Sequence, residues 1–256
     1  MFRIAELFDI EKNFRHGPLF EGIEYPWEPL PQLGDYIESW LGEREGNIDI
    51  AYLNWGSLQS IKRDGGRVEQ LLYVEKAVRL EKDIFFKYAQ IFIGKGTILE
   101  PSAIIKPPVI IGANCEVRQG AYIRGNLLAG DGVVIGHNTE VKNSIIMNHS
   151  EAGHFSYIGD SIIGAYVTLG AGTKIANLQF RTMEEKKGAP IRNIRIMDNR
   201  KILDTGLPKF GAIIGDGGEL GCNSVTAPAV ILGKECKVYP TAYVAKGVYP
   251  SGSVIK

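Results

Sequence analysis

The stretch IGKGTILEPSAIIKPPVIIGANCEVRQGAYIRGNLLAGDGVVIGHNTEVKNSIIM (residues 93–147) decides the fold, because an apolar residue recurs at every sixth position. Ten residues share this spacing: Ile93, Leu99, Ile105, Ile111, Val117, Ile123, Ala129, Ile135, Val141 and Met147. Neither the helical period of about 3.6 residues nor the two-residue strand period produces it. One inward aliphatic per six residues predicts short flat strands, with three units completing a triangular coil.

The six-residue spacing returns in two later stretches of the chain. Its members there are Tyr157, Ile163, Leu169, Ile175, Ile214, Leu220, Thr226, Leu232, Val238 and Val244. Most of the 31 glycines follow residue 90, as expected for corners that need unusual backbone angles. An ordinary β-sandwich would show two-residue alternation instead. We therefore predict an all-β chain built as a parallel β-helix of hexapeptide repeats.

The segments outside the clear repeat are interpreted separately. In residues 1–68, four prolines precede a predicted helix over Leu33–Leu41 and a predicted strand over Ile48–Trp55, and we expect a small α/β cap over the open first coil. Residues 69–256 form the predicted β-helix domain. Its first part, residues 69–92, is an early coil with Val74, Leu80, Phe86 and Phe92 on the spacing, or alternatively a helix.

Residues 181–210 interrupt the repeat. Three isoleucines lead to a turn at Asp198–Asn199, after which Ile202 and Leu203 resume the apolar pattern; the three are Ile191, Ile194 and Ile196. This is the pattern of a β-hairpin, and we expect an inserted arm that projects from one corner. Long insertions in repeat proteins tend to lie on the binding face.

Composition excludes several classes of protein. In 256 residues, 29 lysines and arginines balance 29 aspartates and glutamates, so net charge does not indicate nucleic acid or an anionic membrane. Cys115, Cys222 and Cys236 have no C-x-x-C spacing, which predicts no metal site and thiols that are buried or idle in a reducing compartment. There is no signal-peptide pattern and no long apolar run, so a cytoplasmic location is expected.

The segment EAGHFSYIGDSIIGAYVTLGAGT (residues 151–173) narrows the function. It resembles the acetyltransferase domain of the bifunctional enzymes that acetylate glucosamine-1-phosphate and then uridylylate it, which belong to the hexapeptide-repeat acyltransferases. The alignment runs without a gap from Arg124 to Asn177. The resemblance implies left-handed coils, a homotrimer and acetyl-CoA as co-substrate. We expect no uridylyltransferase domain, because no glycine-rich nucleotide loop with a following lysine precedes residue 90.

The resemblance also implies roles for individual residues. His154 matches the catalytic base, and an imidazole suits the removal of a proton from the acceptor near neutral pH. Arg124 and Lys142 match a phosphate-binding pair, while Tyr157 and Asn177 match residues that contact the same phosphate and sugar. Other roles remain open. His154 is alternatively a loop histidine bonded to backbone, the two cations alternatively pair with surface carboxylates, and Tyr157 alternatively points inward.

The coenzyme half of the site departs from the family pattern. Cys222 stands where the family has a serine that supports the acetyl-CoA site, and Gly211 stands at the position of a second lysine. Leu178 replaces an aromatic residue, and the basic C-terminal segment of the family has no counterpart in residues 253–256. The residues around the sugar phosphate match better than those around the coenzyme.

Three functions follow from these observations. The first is an acyl-CoA-dependent acyltransferase, of acetyltransferase type, acting on a sugar phosphate or nucleotide sugar with His154 as general base. The second is a binding module that retains a phospho-sugar pocket without acyl transfer. The third is a protein related to sugar-phosphate nucleotidyltransferases only through its β-helix.

Overall fold

The computed structural model describes residues 3–44, 53–62, 68–198 and 201–256. Over these residues the chain winds around three sheets, which we call faces A, B and C, each with nine strands. From residue 91 onward, each coil passes through face C, then face B, then face A. The prediction of a left-handed parallel β-helix is confirmed.

The strands are short, as the six-residue repeat requires. Face A consists of Gly56–Lys62, Val68–Val74, Ile104–Ile105, Tyr122–Ile123, Glu140–Lys142, Tyr157–Gly159, Lys174–Ile175, Val225–Thr226 and Tyr243–Val244. Face B consists of Val78–Arg79, Ile98–Leu99, Glu116–Val117, Val134–His137, Glu151–His154, Thr168–Leu169, Glu219–Leu220, Lys237–Val238 and Val254–Ile255. Face C consists of Ile84–Phe86, Ile91–Ile93, Val109–Ile111, Leu127–Ala129, Ser144–Ile146, Ile162–Ile163, Ala212–Ile214, Val230–Leu232 and Gly247–Tyr249.

From residue 93 onward, the predicted ladder of aliphatic residues fills the interior of the prism, with two exceptions. Met147 packs in a cluster outside the prism, and Tyr157 is partly exposed on its surface. Their places inside are taken by Ile146 and Ile158. The spacing shortens from six residues to five between Val141 and Ile146 and again between Ile158 and Ile163. Both short steps turn the corner from face A to face C.

The first turn of the prism differs from the prediction. Residues 68–86 do form strands rather than a helix, but those strands run antiparallel to the coil beneath them. The strand Gly56–Lys62 pairs antiparallel with Val68–Val74 and lies outermost on face A. The backward turn therefore closes the open end of the prism. In the strand beneath it, Ile91–Ile93, Phe92 faces outward and its two neighbours face inward, so the inward assignment of Phe92 was wrong.

The N-terminal helices cover the side of the prism and not its open end. They are α1 (Ile4–Leu7), α2 (Ile10–Asn13), a 3-10 turn (Gly17–Phe20) and α3 (Pro29–Gly42). The predicted helix over Leu33–Leu41 lies within α3, whose buried Leu33, Ile37 and Leu41 repeat at helical spacing. The strand predicted over Ile48–Trp55 lies mostly outside the described residues, and residues 53–55 are not in a strand.

Face C accepts the helices because its outer surface is apolar. Strands on this face have three residues, except Ile162–Ile163 with two. In each three-residue strand the middle residue points outward while its neighbours point inward. The outward residues form one cluster with the helices; they include Ile110, Leu128, Ile145, Ile162, Ile213 and Ile231. The outward positions of faces A and B are mostly polar or charged, as at Glu116 and Glu140. Burial of the apolar stripe therefore selects where the helices pack.

The inserted segment forms the expected hairpin after a short helix, α4 (Met183–Lys186). Arg195–Asp198 pairs antiparallel with Lys201–Asp204, while residues 199–200 of the turn lie outside the described residues. The root of the hairpin does not project freely, because Ile194 and Ile196 are buried in the cluster on face C. This contact fixes the hairpin against the prism.

Candidate functional site

Arg124 and Lys142 lie on neighbouring coils at the edge where face A meets face C. Arg124 directly follows a face A strand, and its backbone N–H donates to the carbonyl of Val141 at 2.8 Å. Both cations have a carboxylate partner. Arg124 Nη1 is 2.7 Å from Glu140 Oε1, and this hydrogen bond raises the pKa of the guanidinium above its ordinary value. Both cations therefore pair with carboxylates, as the alternative interpretation expects: Arg124 with Glu140, and Lys142 with Asp160.

Asp160 is the polar centre of this edge, and the sequence interpretation missed it. Its side chain is only 7% exposed, and its carboxylate is 3.1 Å from the ammonium of Lys142. It also accepts hydrogen bonds from the amides of Asn143, at 2.8 Å, and Asn177. A φ of 50° at Asp160 sets the tight corner that turns its side chain toward these groups. The carboxylate fixes both Lys142 and Asn177 in place.

Tyr157 lies on the outer surface of face A, so the alternative of an inward role is wrong for this residue. The adjacent residue Ile158 occupies the interior instead. Tyr157 pairs in register with Glu140 on one side and Lys174 on the other. Partial burial raises the pKa of its phenol, which is hydrogen-bonded to Asn177. Tyr157 and Asn177 thus join the group formed by Lys142 and Asp160.

His154 lies at the opposite edge of face A, at the corner where face B ends. It is the last residue of the strand Glu151–His154 and is exposed. Its backbone carbonyl accepts hydrogen bonds from Gly172 and Ser156, but its imidazole has no hydrogen-bond partner among the described residues. The imidazole therefore does not make the hydrogen bond to backbone that the alternative interpretation of His154 required. A three-residue strand separates this corner from Asp160, a span of roughly 10 Å at about 3.3 Å per residue.

Cys222 lies on the same edge as His154, two coils further along, and is exposed. The other two cysteines are buried, and burial raises the pKa of the Cys115 thiol to about 12. That thiol is inert at neutral pH. Among the described residues, Cys222 is thus the one thiol that faces solvent near the candidate site.

An open groove of about 1090 Å³ adjoins Arg124 on the side away from His154. Its lining includes Lys106, which is nearly buried, with its ammonium 3.4 Å from Glu69 and over the ring of Tyr122. The charged groups of the groove are Lys106, Arg124, Glu38, Glu69 and Glu140. With three carboxylates and two cations, the groove is better suited to neutral polar groups than to a polyanion.

Two negative findings apply to the described ranges. No three His, Cys, Asp or Glu side chains are grouped there so that they could hold a metal ion. No helix in these ranges has the length and apolar character needed to cross a membrane.

The fold and its repeat define the chain as a hexapeptide-repeat β-helix protein. A family model described as the GMPPB C-terminal domain matches residues 105–184, which contain Arg124, Lys142 and His154. The β-helix is also homologous, at about 30% identity, to proteins named GlmU, consistent with a GlmU-like acetyltransferase domain.

Three relatives illustrate the extent of the homology. A bifunctional sugar-1-phosphate nucleotidylyltransferase/acetyltransferase of Sulfurisphaera tokodaii is 33% identical over 59% of this chain and 40% of its own length. The bifunctional protein GlmU of Methanococcus aeolicus is 32% identical over 72% of this chain and 40% of its own length. GlmU of Synechococcus sp. is 27% identical over 78% of this chain and 44% of its own length. The chain thus spans less than half the length of these relatives.

Proposed function

We propose that this chain transfers an acyl group, in the simplest case acetyl from acetyl-CoA, to a sugar phosphate or nucleotide sugar. The observation that carries the proposal is the composition of face A. At one edge, hydrogen bonds and an ion pair to Asp160 connect Lys142, Tyr157 and Asn177 beside Arg124. At the other edge, the imidazole of His154 has no hydrogen-bond partner among the described residues. The homology to proteins named acetyltransferase supports the same reaction class.

The dimensions of face A fit an acceptor that lies across it. A phosphate held at the edge of Arg124 and Lys142 would leave the sugar ring to reach toward His154, roughly 10 Å away by strand length. Arg124 uses Nη1 for Glu140, which orients the planar guanidinium and leaves its other N–H groups for phosphate oxygens. The sugar amine or hydroxyl then lies nearest to the imidazole.

The chemistry assigned to His154 is general-base catalysis. The acceptor nitrogen or oxygen attacks the thioester carbonyl while the imidazole takes its proton. A bond forms between the acceptor and the acyl carbon, the carbon–sulfur bond breaks, and the sulfur leaves as a thiolate. The imidazolium returns its proton to that thiolate, so the histidine is restored at the end of each turnover.

Substitution of the cations tests the substrate half of the proposal. Arg124→Ala and Lys142→Ala should each weaken binding of phosphate-bearing sugars by about 1.5–3 kcal/mol, because each removes a charge-assisted contact. Arg118→Ala is the matched control. Arg118 lies on face B, pairs with Glu116 at 2.7 Å and has similar exposure. Titration calorimetry with sugar phosphates and nucleotide sugars measures the effect. Equal affinities for all three variants would mean that Arg124 and Lys142 are surface charges only.

We propose a cyclic homotrimer as the active assembly. His154 stands on an exposed corner, and a single face offers no enclosed cleft that could exclude water from a thioester. A neighbouring copy against face A would supply the missing wall. Light scattering at micromolar concentration should give three times the chain mass of 28.1 kDa. A mass of one chain would contradict both the assembly and the cleft.

A binding module without acyl transfer is the second candidate. It is favoured by Asp160, which already neutralises Lys142 in a nearly buried pair, and by the exposed Cys222 where the resemblance leads us to expect a serine. Homology to nucleotidyltransferases through the β-helix alone is compatible with this candidate. Phospho-sugar binding with no turnover from any acyl-CoA would select it.

A further inference from the structure

A small pocket of about 310 Å³ lies where the inserted hairpin joins the prism, apart from the residues discussed so far. It lies at the edge where faces A and C meet. One of its lining residues, Gln179, is two residues beyond Asn177 along the chain. Four separate stretches of the chain line it, and the lining residues are Gln179, Arg192, Asn193, Arg195, Asp204 and Lys246. Three cations and one carboxylate thus converge on one concave site.

Arg192 is held rigidly at the wall of this pocket. Its Nη1 is 2.6 Å from Glu185, whose side chain is only 6% exposed, and its Nη2 donates to the carbonyl of Phe180 at 2.8 Å. Glu185 is fixed in turn by accepting the backbone N–H groups of Thr182 and Arg192. The backbone carbonyl of Arg192 accepts from Gln179 at 3.2 Å, which ties the hairpin segment to the prism.

Arg195 and Lys246 provide charge that the protein itself does not neutralise well. Arg195 alternates with the buried Ile194 and Ile196, so its side chain points away from the cluster on face C. Its Nε is 3.7 Å from Asp204, a long ion pair, and its side chain is 70% exposed. Lys246 is exposed, and its ammonium has no ion pair with a carboxylate among the described residues.

The charge of this pocket distinguishes it from the groove beside Arg124. The groove contains more carboxylates than cations, whereas the pocket is lined by Arg192, Arg195 and Lys246 against Asp204. Glu185, behind the lining, pairs with Arg192, so the cations still outnumber the carboxylates by three to two. Guanidinium groups bind phosphate oxygens through paired hydrogen bonds, and a pre-positioned cation loses little entropy on binding. The amide groups of Gln179 and Asn193 add neutral polar atoms to the lining.

We propose that this pocket binds a phosphate group of a nucleotide ligand, with Arg195 and Lys246 as its principal contacts and Arg192 as a fixed wall. The ligand chemistry is a phosphate ester or diphosphate, which either coenzyme A or a nucleotide sugar would bring. The site is distinct from His154 and from the Lys142 group, and its occupation requires no acyl transfer.

The test compares two double variants with the same loss of charge. Arg195→Ala/Lys246→Ala removes the two exposed contacts, while Lys187→Ala/Lys201→Ala removes two exposed lysines of the insertion that do not line the pocket. Calorimetric titrations at about 0.15 M ionic strength use three probes: coenzyme A, a uridine diphosphate sugar and inorganic phosphate. Circular dichroism melting of each variant verifies that the fold is retained.

The pocket variant should bind at least one nucleotide probe roughly tenfold to a hundredfold more weakly than the wild type, with the control variant unchanged. A loss confined to coenzyme A would identify the coenzyme as the source of the phosphate. A loss confined to the uridine diphosphate sugar would identify the acceptor. Equal affinity of both double variants for all three probes, or no binding of any probe by the wild type, would overturn the proposal. Neither result depends on turnover, so the acyltransferase proposal is tested separately.

Discussion

His154→Ala should lower kcat for acyl transfer by ~10²–10⁴-fold and leave KM for the acceptor nearly unchanged. The imidazole is exposed at the corner of face A and has no hydrogen-bond partner among the described residues, so its removal leaves no buried group unpaired. The loss should therefore appear in the chemical step and not in stability. Steady-state kinetics with acetyl-CoA and the preferred acceptor measures it.

His149→Ala is the matched control for that experiment. His149 is also exposed, at the corner between faces C and B, and its ring stacks on that of Tyr166 with centroids 5.0 Å apart. Its removal should leave kcat within about twofold of the wild type, since no role in proton transfer is assigned to it. If His154→Ala retained full kcat, the base would have to be another group, and the chemical half of the proposal would fail.

The second large effect concerns His16 and acid stability. His16 is fully buried in the helical layer, where Nδ1 is 2.9 Å from the hydroxyl of Tyr36 and Nε2 has no hydrogen-bond partner among the described residues. Burial, reinforced by Arg15 and Arg44, lowers the pKa of its imidazole from 6.5 to about 3. The folded protein therefore holds this histidine neutral.

The direction of the pH dependence follows from that lowered pKa. Below pH 6.5 the unfolded chain takes up a proton that the folded chain refuses until about pH 3. The contribution of His16 to stability is thus fully present above pH 6.5 and is lost as the pH falls toward 3, at up to about 1.4 kcal/mol per pH unit. Urea unfolding between about pH 7 and 4.5 samples this range while most carboxylates remain ionised.

His16→Phe isolates the contribution of this one group. The variant should show a flatter decline of unfolding free energy with falling pH than the wild type, whatever its stability at pH 7. His154→Ala, which removes an exposed histidine, should follow the wild-type slope. Parallel curves for wild type and His16→Phe would show that His16 takes up its proton as readily in the folded state as in the unfolded state, contrary to the lowered pKa.

The inward ladder could be predicted from the sequence because every coil needs an aliphatic residue at each sixth position to fill the interior. The two corners at which the spacing shortens to five residues were not predicted. The residues that a strict six-residue spacing selects there, Met147 and Tyr157, are apolar or aromatic and so fit the pattern. A signal was present: the residues next to them, Ile146 and Ile158, are also aliphatic. The corners matter because one of them positions Asp160.

The packing of the N-terminal helices could also have been predicted. Most face C strands contain three consecutive apolar residues, as in Val109–Ile111, whereas face A and B strands usually have one apolar and one polar residue. An apolar outer residue in coil after coil requires a cover. The reversed first turn had no comparable signal, because the six-residue spacing is the same in either direction along the chain.

Within the candidate site, the resemblance identified the cations but not their partners. Glu140 and Asp160 lie 16 and 18 residues from Arg124 and Lys142, about one coil away. A partner at that separation can be predicted only once the coil length is known. The pairing orients both cations, although it reduces the charge that they offer to a phosphate.

The central claim is acyl transfer to a phosphorylated sugar, and a turnover assay on the intact chain tests it most directly. Wild-type protein is incubated with acetyl-CoA and each of a set of amino-sugar phosphates and nucleotide sugars. Release of free thiol and the mass of the sugar product are followed together. The account predicts thiol release that depends on one acceptor, yields its acetylated form and is abolished by His154→Ala. Binding of phosphorylated sugars through Arg124 and Lys142, with no acylated product from any acceptor, would contradict it.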